Sequence, residues 1–190
     1  MRMRMARFGA DGILAGSLAG KRAFADLVGM TEVPGKPEVC FLDFCDVAVV
    51  TTSFMRDSVI AYRNHARSAW PYLYPAAANL GAAVREEFEI WLGETNDIFV
   101  ICDLDDAEKP SNVTVLGQID GKQLVALRGV IDLGETDVSG LAAHVGEAVA
   151  PTAWNNRIGS LLAKGLVIEV SNTGRNKRYR PILEGISCGA

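Results

Sequence analysis

The stretch PTAWNNRIGSLLAKGLVIEVSNTGRNKRYRPI, residues 151–182, contains the most informative pattern in the chain. It opens with Pro151 and Thr152, two residue types that begin helices. Apolar residues then recur at spacings of three and four positions, which makes one apolar helical face: Ile158, Leu161 and Leu162. Lys164 and Gly165 end the helix, with a cation in the last turn and a glycine that can turn left-handed.

Two strands are predicted after that helix. Residues 166–170, LVIEV, are rich in branched side chains that favour a strand. Residues 171–174, SNTG, are typical of a turn, and residues 175–182 can return as a second strand rich in cations. A helix, a strand, a basic turn and a second strand, in this order, form the end of a winged-helix domain.

The composition bounds the class of protein. At 190 residues, with 49% apolar and 22% charged side chains, the chain suits a globular protein of one large or two small domains. No apolar run reaches the roughly 18 to 20 residues that span a bilayer, and no signal-peptide pattern follows the basic first residues. We therefore expect a cytoplasmic protein with no membrane partner.

The reactive side chains do not form a recognisable site. The four cysteines lack the paired spacing of metal sites, and the chain has only two histidines, so buried free thiols and no metal are predicted. The motifs HExxH and Walker A are missing. We therefore predict no catalytic residues, no cofactor and no enzymatic activity.

The charge is unevenly distributed along the chain. Residues 151–190 contain six basic and two acidic side chains, a net charge of +4, whereas residues 1–150 contain thirteen basic and 21 acidic ones, a net charge of −8. An acidic body with a basic end indicates a localised anionic partner, and nucleic acid is the first candidate.

The first half of the chain alternates predicted strands and helices. Residues 39–44 are nearly continuously apolar, as in a strand covered on both faces, and Thr51, Thr52 and Ser53 can cap the helix that follows. The other predicted elements are strands at residues 5–8 and 97–102, a strand or a strand-to-helix connection at residues 74–80, and helices at residues 17–28, 54–65 and 82–92. Strands separated by helices predict an α/β sheet.

The segments FLDFCDVAVVTTSFMRDSVIAY and YPAAANL…VREEFEIWL resemble the STAS-like domains, relatives of anti-sigma-factor antagonists, over about residues 5–105. This resemblance implies an α/β sheet-and-helix domain that senses a signal or binds a protein partner. In that family a Ser/Thr turn at a helix start is phosphorylated by a partner kinase, a role that falls by position on Ser53 or Thr52. The family's Asp-Ser-Ser-Gly is replaced here by Thr51-Thr52-Ser53-Phe54, and the alternative role of the turn is a helix cap alone.

A domain boundary is predicted at residues 103–111, DLDDAEKPS, which are charged, contain proline and have no apolar periodicity. It divides the chain into a domain at residues 1–108 and another at residues 109–190. The second contains helices predicted at residues 120–133, from 135–137 onward and at 151–164, followed by the hairpin. Residues 113–182 resemble MarR-like winged helix-turn-helix domains, which implies three helices and a β-hairpin.

In a helix-turn-helix the third helix enters the major groove and presents its exposed N-terminal residues to base edges. The short polar candidates for this contact are Thr152, Asn155, Asn156 and Ser160. Arg157 is a candidate for a phosphate or guanine contact, and Arg175, Lys177 and Arg178 are candidates for phosphate or minor-groove contacts from the wing. Trp154 can pack inside the domain or contact DNA.

These predictions favour a two-domain, DNA-binding transcriptional regulator whose partner is double-stranded DNA. A protein partner would bind through the STAS-like domain. The alternative is a partner-switch adaptor that binds proteins through both domains without direct DNA contact. Many winged-helix regulators are dimers, so we expect a homodimer to be a realistic alternative to a monomer.

Overall fold

The computed structural model describes residues 1–173 and 176–188, and the chain divides into two compact units. Unit 1 comprises Met1–Ser111 with Leu116–Gln118, and unit 2 comprises Asn112–Val115 with Ile119–Ala190. The protein is a mixed α/β protein in which most strand pairs of the central sheet are parallel.

Unit 1 begins with strand β1 and continues with alternating strands and helices. In chain order they are β1 (Arg2–Arg4), a 3-10 helix (Met5–Phe8), β2 (Ile13–Leu14), α1 (Ser17–Met30), β3 (Glu38–Asp43), β4 (Val49–Val50), α2 (Thr52–Met55), a π-helical segment (Arg56–Ile60), α3 (Ala61–Ala69), β5 (Leu73–Ala78), α4 (Ala82–Thr95), β6 (Ile98–Leu104) and β7 (Pro110–Gly117). The segments from Thr52 to Ala69 follow one another without a break and form one long helix.

The sheet of unit 1 explains the apolar character of its strands. β1 pairs with β3, β3 with β5 and β5 with β6, all in parallel. Parallel neighbours need crossover connections, and α1, the long helix and α4 supply them. Residues 40–43 of β3 are all buried, as expected for a strand that is covered on both faces.

Close packing joins α1 to the start of the long helix. Gly20 on α1 lies against the backbone of Phe54, and a Cβ atom at position 20 would lie 2.8 Å from the Phe54 carbonyl oxygen. The two helices therefore approach more closely than a side chain at this position would permit. Phe54 and Met55 are fully buried in the apolar core beside Leu14 and Leu27.

A buried carboxylate joins the carboxyl ends of three strands. Asp43, at the end of β3, accepts hydrogen bonds from the Arg2 guanidinium, the Asn79 amide and the Cys45 backbone N–H at distances of 2.8–3.0 Å. Burial disfavours its charged form, but these donors outweigh that effect and hold the pKa of Asp43 below its usual value. The Asn79 side chain also accepts a hydrogen bond from the Leu104 N–H at the end of β6.

The structure corrects one prediction for unit 1. Residues 5–8 were expected to form a strand, but they form a 3-10 helix, and the strand lies just before them at Arg2–Arg4. The sequence Arg-Met-Arg does not indicate a buried strand, because arginines are usually exposed. Here Arg2 forms an ion pair with the buried Asp43, which lets the strand lie in the sheet. Residues 103–111, where the domain boundary is predicted, contain the end of β6 at Leu104, a short hydrogen-bonded turn and the start of β7 at Pro110.

Unit 2 contains three helices, a β-hairpin and a short parallel strand pair among its described residues. The helices are α5 (Gly121–Leu133), α6 (Val138–Val145) and α7 (Pro151–Ala163), and the hairpin strands are β8 (Val167–Thr173) and β9 (Asn176–Pro181). Strand β10 (Ser187–Cys188) pairs in parallel with residues 114–115 of β7. Asp120 and Asp137 cap α5 and α6, because their carboxylates accept hydrogen bonds from N–H groups of the first turn.

The hairpin of unit 2 is attached to the turn between α5 and α6. Thr136 and Tyr179 exchange two backbone hydrogen bonds, of 2.9 and 2.7 Å, in an antiparallel bridge. Thr136 thus pairs with β9 as a one-residue third strand beside the two strands of the hairpin. The three helices also pack against one another around Leu127, Leu141 and Leu161, which are fully buried.

No helix in the part of the chain that the structure describes is long and apolar enough to cross a bilayer. Of the described cysteines, Cys40 and Cys102 are buried free thiols and Cys45 is a partly exposed one.

Candidate nucleic-acid interface

Helix α7 has one buried and one exposed face. Trp154, Ile158 and Leu161 point into the core of unit 2, whereas Thr152, Asn155, Asn156 and Gly159 are exposed. Positions 152, 155, 156 and 159 follow the spacing of a single helical face. This exposed face is polar and uncharged, and α7 contains no acidic residue.

Arg157 lies on the buried side of α7. It is 8% exposed, its guanidinium donates to the Glu147 carboxylate, and its Cζ atom lies 4.5 Å from the centre of the Trp154 ring. The hydrogen bond from Arg157 lowers the pKa of Glu147. The prediction that Arg157 contacts phosphate or guanine is therefore corrected: the ion pair and the ring hold its charge inside unit 2. Trp154 packs inside the unit, the first of the two alternatives for this residue.

The other predicted contact residues of α7 differ in whether their side chains form hydrogen bonds within the helix. Ser160 is partly buried, and its hydroxyl donates to the Asn156 carbonyl oxygen at 2.9 Å, a bond within the helix. The Asn155 amide donates to the Pro151 carbonyl oxygen at 3.1 Å. The side chains of Thr152 and Asn156 have no hydrogen-bond partner among residues 1–173 and 176–188.

The hairpin carries cations that are already paired with carboxylates of unit 2. Lys177 Nζ lies 2.9 Å from Glu169 Oε2, and Arg178 Nε lies 2.6 Å from Glu135 Oε1. Lys177 and Arg178 remain about half exposed, at 52% each. The hydrogen bond to Glu169 raises the pKa of Lys177. The predicted contact residue Arg175 lies outside the described residues.

Sequence reasoning missed two residues of this surface. Gly159 shares the exposed face of α7, and its position three residues after Asn156 was a usable signal. Arg180 lies partly exposed on the same strand as Lys177 and Arg178. The pairing of the hairpin cations with Glu135 and Glu169 had no local signal, because it depends on how the hairpin folds back on unit 2.

Unit 2 as a whole is less basic than its last forty residues. It contains eight basic and seven acidic side chains in the sequence, whereas unit 1 contains eleven basic and sixteen acidic ones. The excess of positive charge is therefore confined to the C-terminal part of unit 2 and is small. A polyanion bound there would depend on a few cations and on polar contacts.

The second candidate site is the turn before the long helix of unit 1. Thr51 is the helix cap: its hydroxyl oxygen lies 3.4 Å from the Phe54 N–H and 3.1 Å from the Gly16 N–H, and accepts from both. Thr52 is exposed, and its hydroxyl donates to the Glu87 carboxylate on α4. The partly buried Ser53 hydroxyl lies 3.3 Å from that of Thr51. The helix-cap role is thus filled by Thr51, next to Thr52 and Ser53, one of which would be phosphorylated if the resemblance to the STAS-like domains extends to this turn.

The part of the chain that the structure describes has no group of three or more His, Cys, Asp or Glu side chains that could hold a metal ion. A comparison of the chain with models of known protein families found no match, and a comparison with curated proteins found none either.

Proposed function

We propose that unit 2 is a winged helix-turn-helix domain that binds double-stranded DNA, and that the protein is a transcriptional regulator. The observation that carries the proposal is the exposed face of α7, which is polar, free of carboxylates and formed by residues of its first three turns. A recognition helix presents such residues to base edges, because the major groove admits one helix.

Two further features support the proposal. The order of three helices and a hairpin, with Thr136 bridging to β9, is typical of winged-helix domains. The hairpin follows α7 directly and carries Lys177, Arg178 and Arg180, which would approach the phosphate backbone as a wing. Since Lys177 and Arg178 are paired with carboxylates, phosphate would have to replace Glu169 and Glu135 as their partners.

Fluorescence anisotropy with a labelled pool of random-sequence duplexes tests the proposal. We expect the full chain to bind the pool at low salt and to bind more weakly at higher salt, because phosphate contacts release counterions. The double variant Lys177→Ala/Arg178→Ala should weaken binding. Arg128→Ala, which removes one exposed cation from α5, is the matched control and should leave binding nearly unchanged. Absence of binding at low salt would contradict the proposal.

Unit 1 would then be the sensing or partner-binding domain of the regulator. A second candidate function is a partner-switch adaptor, and the observation that favours it is the exposed Thr52 at the first residue of the long helix, beside Ser53. A helix N-terminus stabilises a phosphate group. Ser53 is the better phosphorylation site of the two, because a phosphate on Thr52 would face the like charge of the Glu87 carboxylate.

The adaptor function is tested by a pull-down with a kinase-like partner of the anti-sigma-factor type. We expect Ser53→Glu to change the amount of partner retained, and Ser68→Glu, on the exposed last turn of α3, to leave it unchanged. Equal retention by the wild type and by Ser53→Glu would count against a switch at this turn.

A further inference from the structure

The two asparagines of α7 are neighbours with the same side chain, but the structure uses them differently. Both are exposed in the second turn of the helix. The Asn155 amide nitrogen donates to the Pro151 carbonyl oxygen one helical turn earlier, so this side chain lies along the helix surface. The Asn156 amide has no partner among the described residues, so both its donor and its acceptor are free to meet a ligand.

A free carboxamide presents one acceptor and one donor side by side. Adenine presents the complementary pair in the major groove, with the N6 amino group as donor and N7 as acceptor. Guanine offers two acceptors at the same edge, and cytosine offers only a donor. An asparagine amide can therefore make two hydrogen bonds to adenine and no equivalent pair with the other bases.

The surroundings of Asn156 favour a close approach of a base edge. Gly159 lies one turn further along the exposed face, and a Cβ atom placed there would have no heavy atom within 4 Å. A glycine in a helix interior costs about 0.5 to 1 kcal/mol relative to alanine. No packing contact requires the glycine at this position, but its lack of a side chain leaves the helix backbone open to a ligand.

We propose that Asn156 is a specificity-determining residue of unit 2 and that it reads an adenine in the major groove by a bidentate amide contact. Asn155, held on Pro151, contributes to the polar surface without selecting a base. This inference rests on the proposed DNA-binding function and adds to it the base that the helix recognises.

The first experiment selects duplexes from a random pool with the wild-type chain, with Asn156→Ala and with Asn155→Ala. We expect the wild type to enrich a motif that contains a fixed adenine. Asn156→Ala should lose the preference at that single position and keep the rest of the motif. Asn155→Ala is the matched control and should keep the adenine. Both asparagines are exposed, so we expect thermal melting of the two variants to agree with that of the wild type.

The second experiment tests the contact atom by atom. Replacing the selected adenine by 7-deazaadenine removes the N7 acceptor and keeps the N6 donor, so we expect the affinity of the wild type to fall by about 2- to 12-fold, the loss of one hydrogen bond. Asn156→Ala should bind the normal and the modified duplex equally, because its donor is already gone. Asn155→Ala should lose affinity on the modified duplex as the wild type does.

The outcomes separate the inference from the function on which it rests. If no duplex is bound or enriched at low salt, the DNA-binding function is overturned and the inference falls with it. If duplexes are enriched but Asn156→Ala lowers affinity equally for all sequences, DNA binding stands and the reading of adenine by Asn156 is overturned. The same holds if Asn155→Ala, and not Asn156→Ala, loses the adenine.

Discussion

At the scale of single residues, the buried carboxylate of Asp43 differs from what its sequence neighbourhood indicates. Asp43 ends an apolar strand, where a charge has no local partner, and it is completely buried. Its charge is stabilised by Arg2, which is 41 positions away in the chain, and by Asn79. The partners of a buried charge therefore came from the tertiary structure alone.

Asp43→Asn should lower the free energy of unfolding at neutral pH by about 2 to 4 kcal/mol, because it leaves the largely buried Arg2 guanidinium without its counter-ion. The pKa of Asp43 is lowered in the folded state, so its contribution is complete above the unfolded value of about 3.9 and is lost as the pH falls below it. The difference between the wild type and Asp43→Asn should therefore narrow below about pH 4.

Urea unfolding of both proteins between pH 7 and pH 2 measures this difference. Glu86→Gln, an exposed carboxylate on α4, is the control and should change stability by less than about 0.5 kcal/mol at every pH. A difference between wild type and Asp43→Asn that stays constant down to pH 2 would contradict the ionised state of Asp43.

Gly159→Ala should separate stability from DNA binding. The added methyl group meets open space, so the free energy of unfolding should rise by about 0.5 to 1 kcal/mol. The same methyl group lies on the face proposed to contact DNA and should weaken duplex binding. Gly93→Ala on α4 also meets open space and should stabilise the chain without changing DNA affinity. Thermal melting and anisotropy measure both effects, and unchanged affinity of Gly159→Ala would exclude close contact at this position.

At the scale of elements, the chain's local patterns were reliable. The predicted helices and strands of both halves occur in the structure, apart from the strand at residues 5–8. Helices α5 and α6 begin after their caps Asp120 and Asp137, close to the predicted starts. Caps and apolar spacing depend on neighbours within one turn, so they can be read without knowing the fold. Residues 105–109 form a turn between β6 and β7 that has no sequence signal, because its charged side chains show no apolar periodicity.

Thr51→Ala should lower the free energy of unfolding by about 1 to 2 kcal/mol, because the Thr51 hydroxyl caps the long helix and also accepts from Gly16 at the start of α1. Thr52→Ala removes only the exposed hydrogen bond to Glu87 and should cost less than about 0.5 kcal/mol. Urea unfolding of the two neighbouring variants is the measurement. Equal losses would show that Thr51 is not the cap on which the helix depends.

At the scale of the whole molecule, the net charge of each unit bears on the proposed DNA binding and on how salt would change its affinity. Unit 1 has a net charge of −5 and unit 2 of +1 in the sequence. The proposed interface relies on a few hairpin cations and on polar side chains of α7. Its sequence-independent affinity should accordingly be modest, with a shallow dependence on salt.

The slope of log affinity against log salt concentration should be about −3 if Lys177, Arg178 and Arg180 each contact one phosphate. Lys177→Ala and Arg178→Ala should each reduce its magnitude by about 1, whereas Arg128→Ala should leave it unchanged. Anisotropy titrations of one selected duplex over a series of salt concentrations measure the slope. A slope that none of the hairpin variants changes would place the phosphate contacts elsewhere.

Residues 151–182 by themselves determined a helix, its apolar face and the return of a cationic strand, because each depends on side chains a few positions apart. The tertiary structure decided which polar residues of that stretch remain available. It turned Arg157 inward onto Glu147 and Trp154, paired Lys177 with Glu169 and Arg178 with Glu135, and left the Asn156 amide exposed. Ion pairs form between residues that the fold brings together, and the energy of burying a charge depends on all of its neighbours, so no local pattern could assign them.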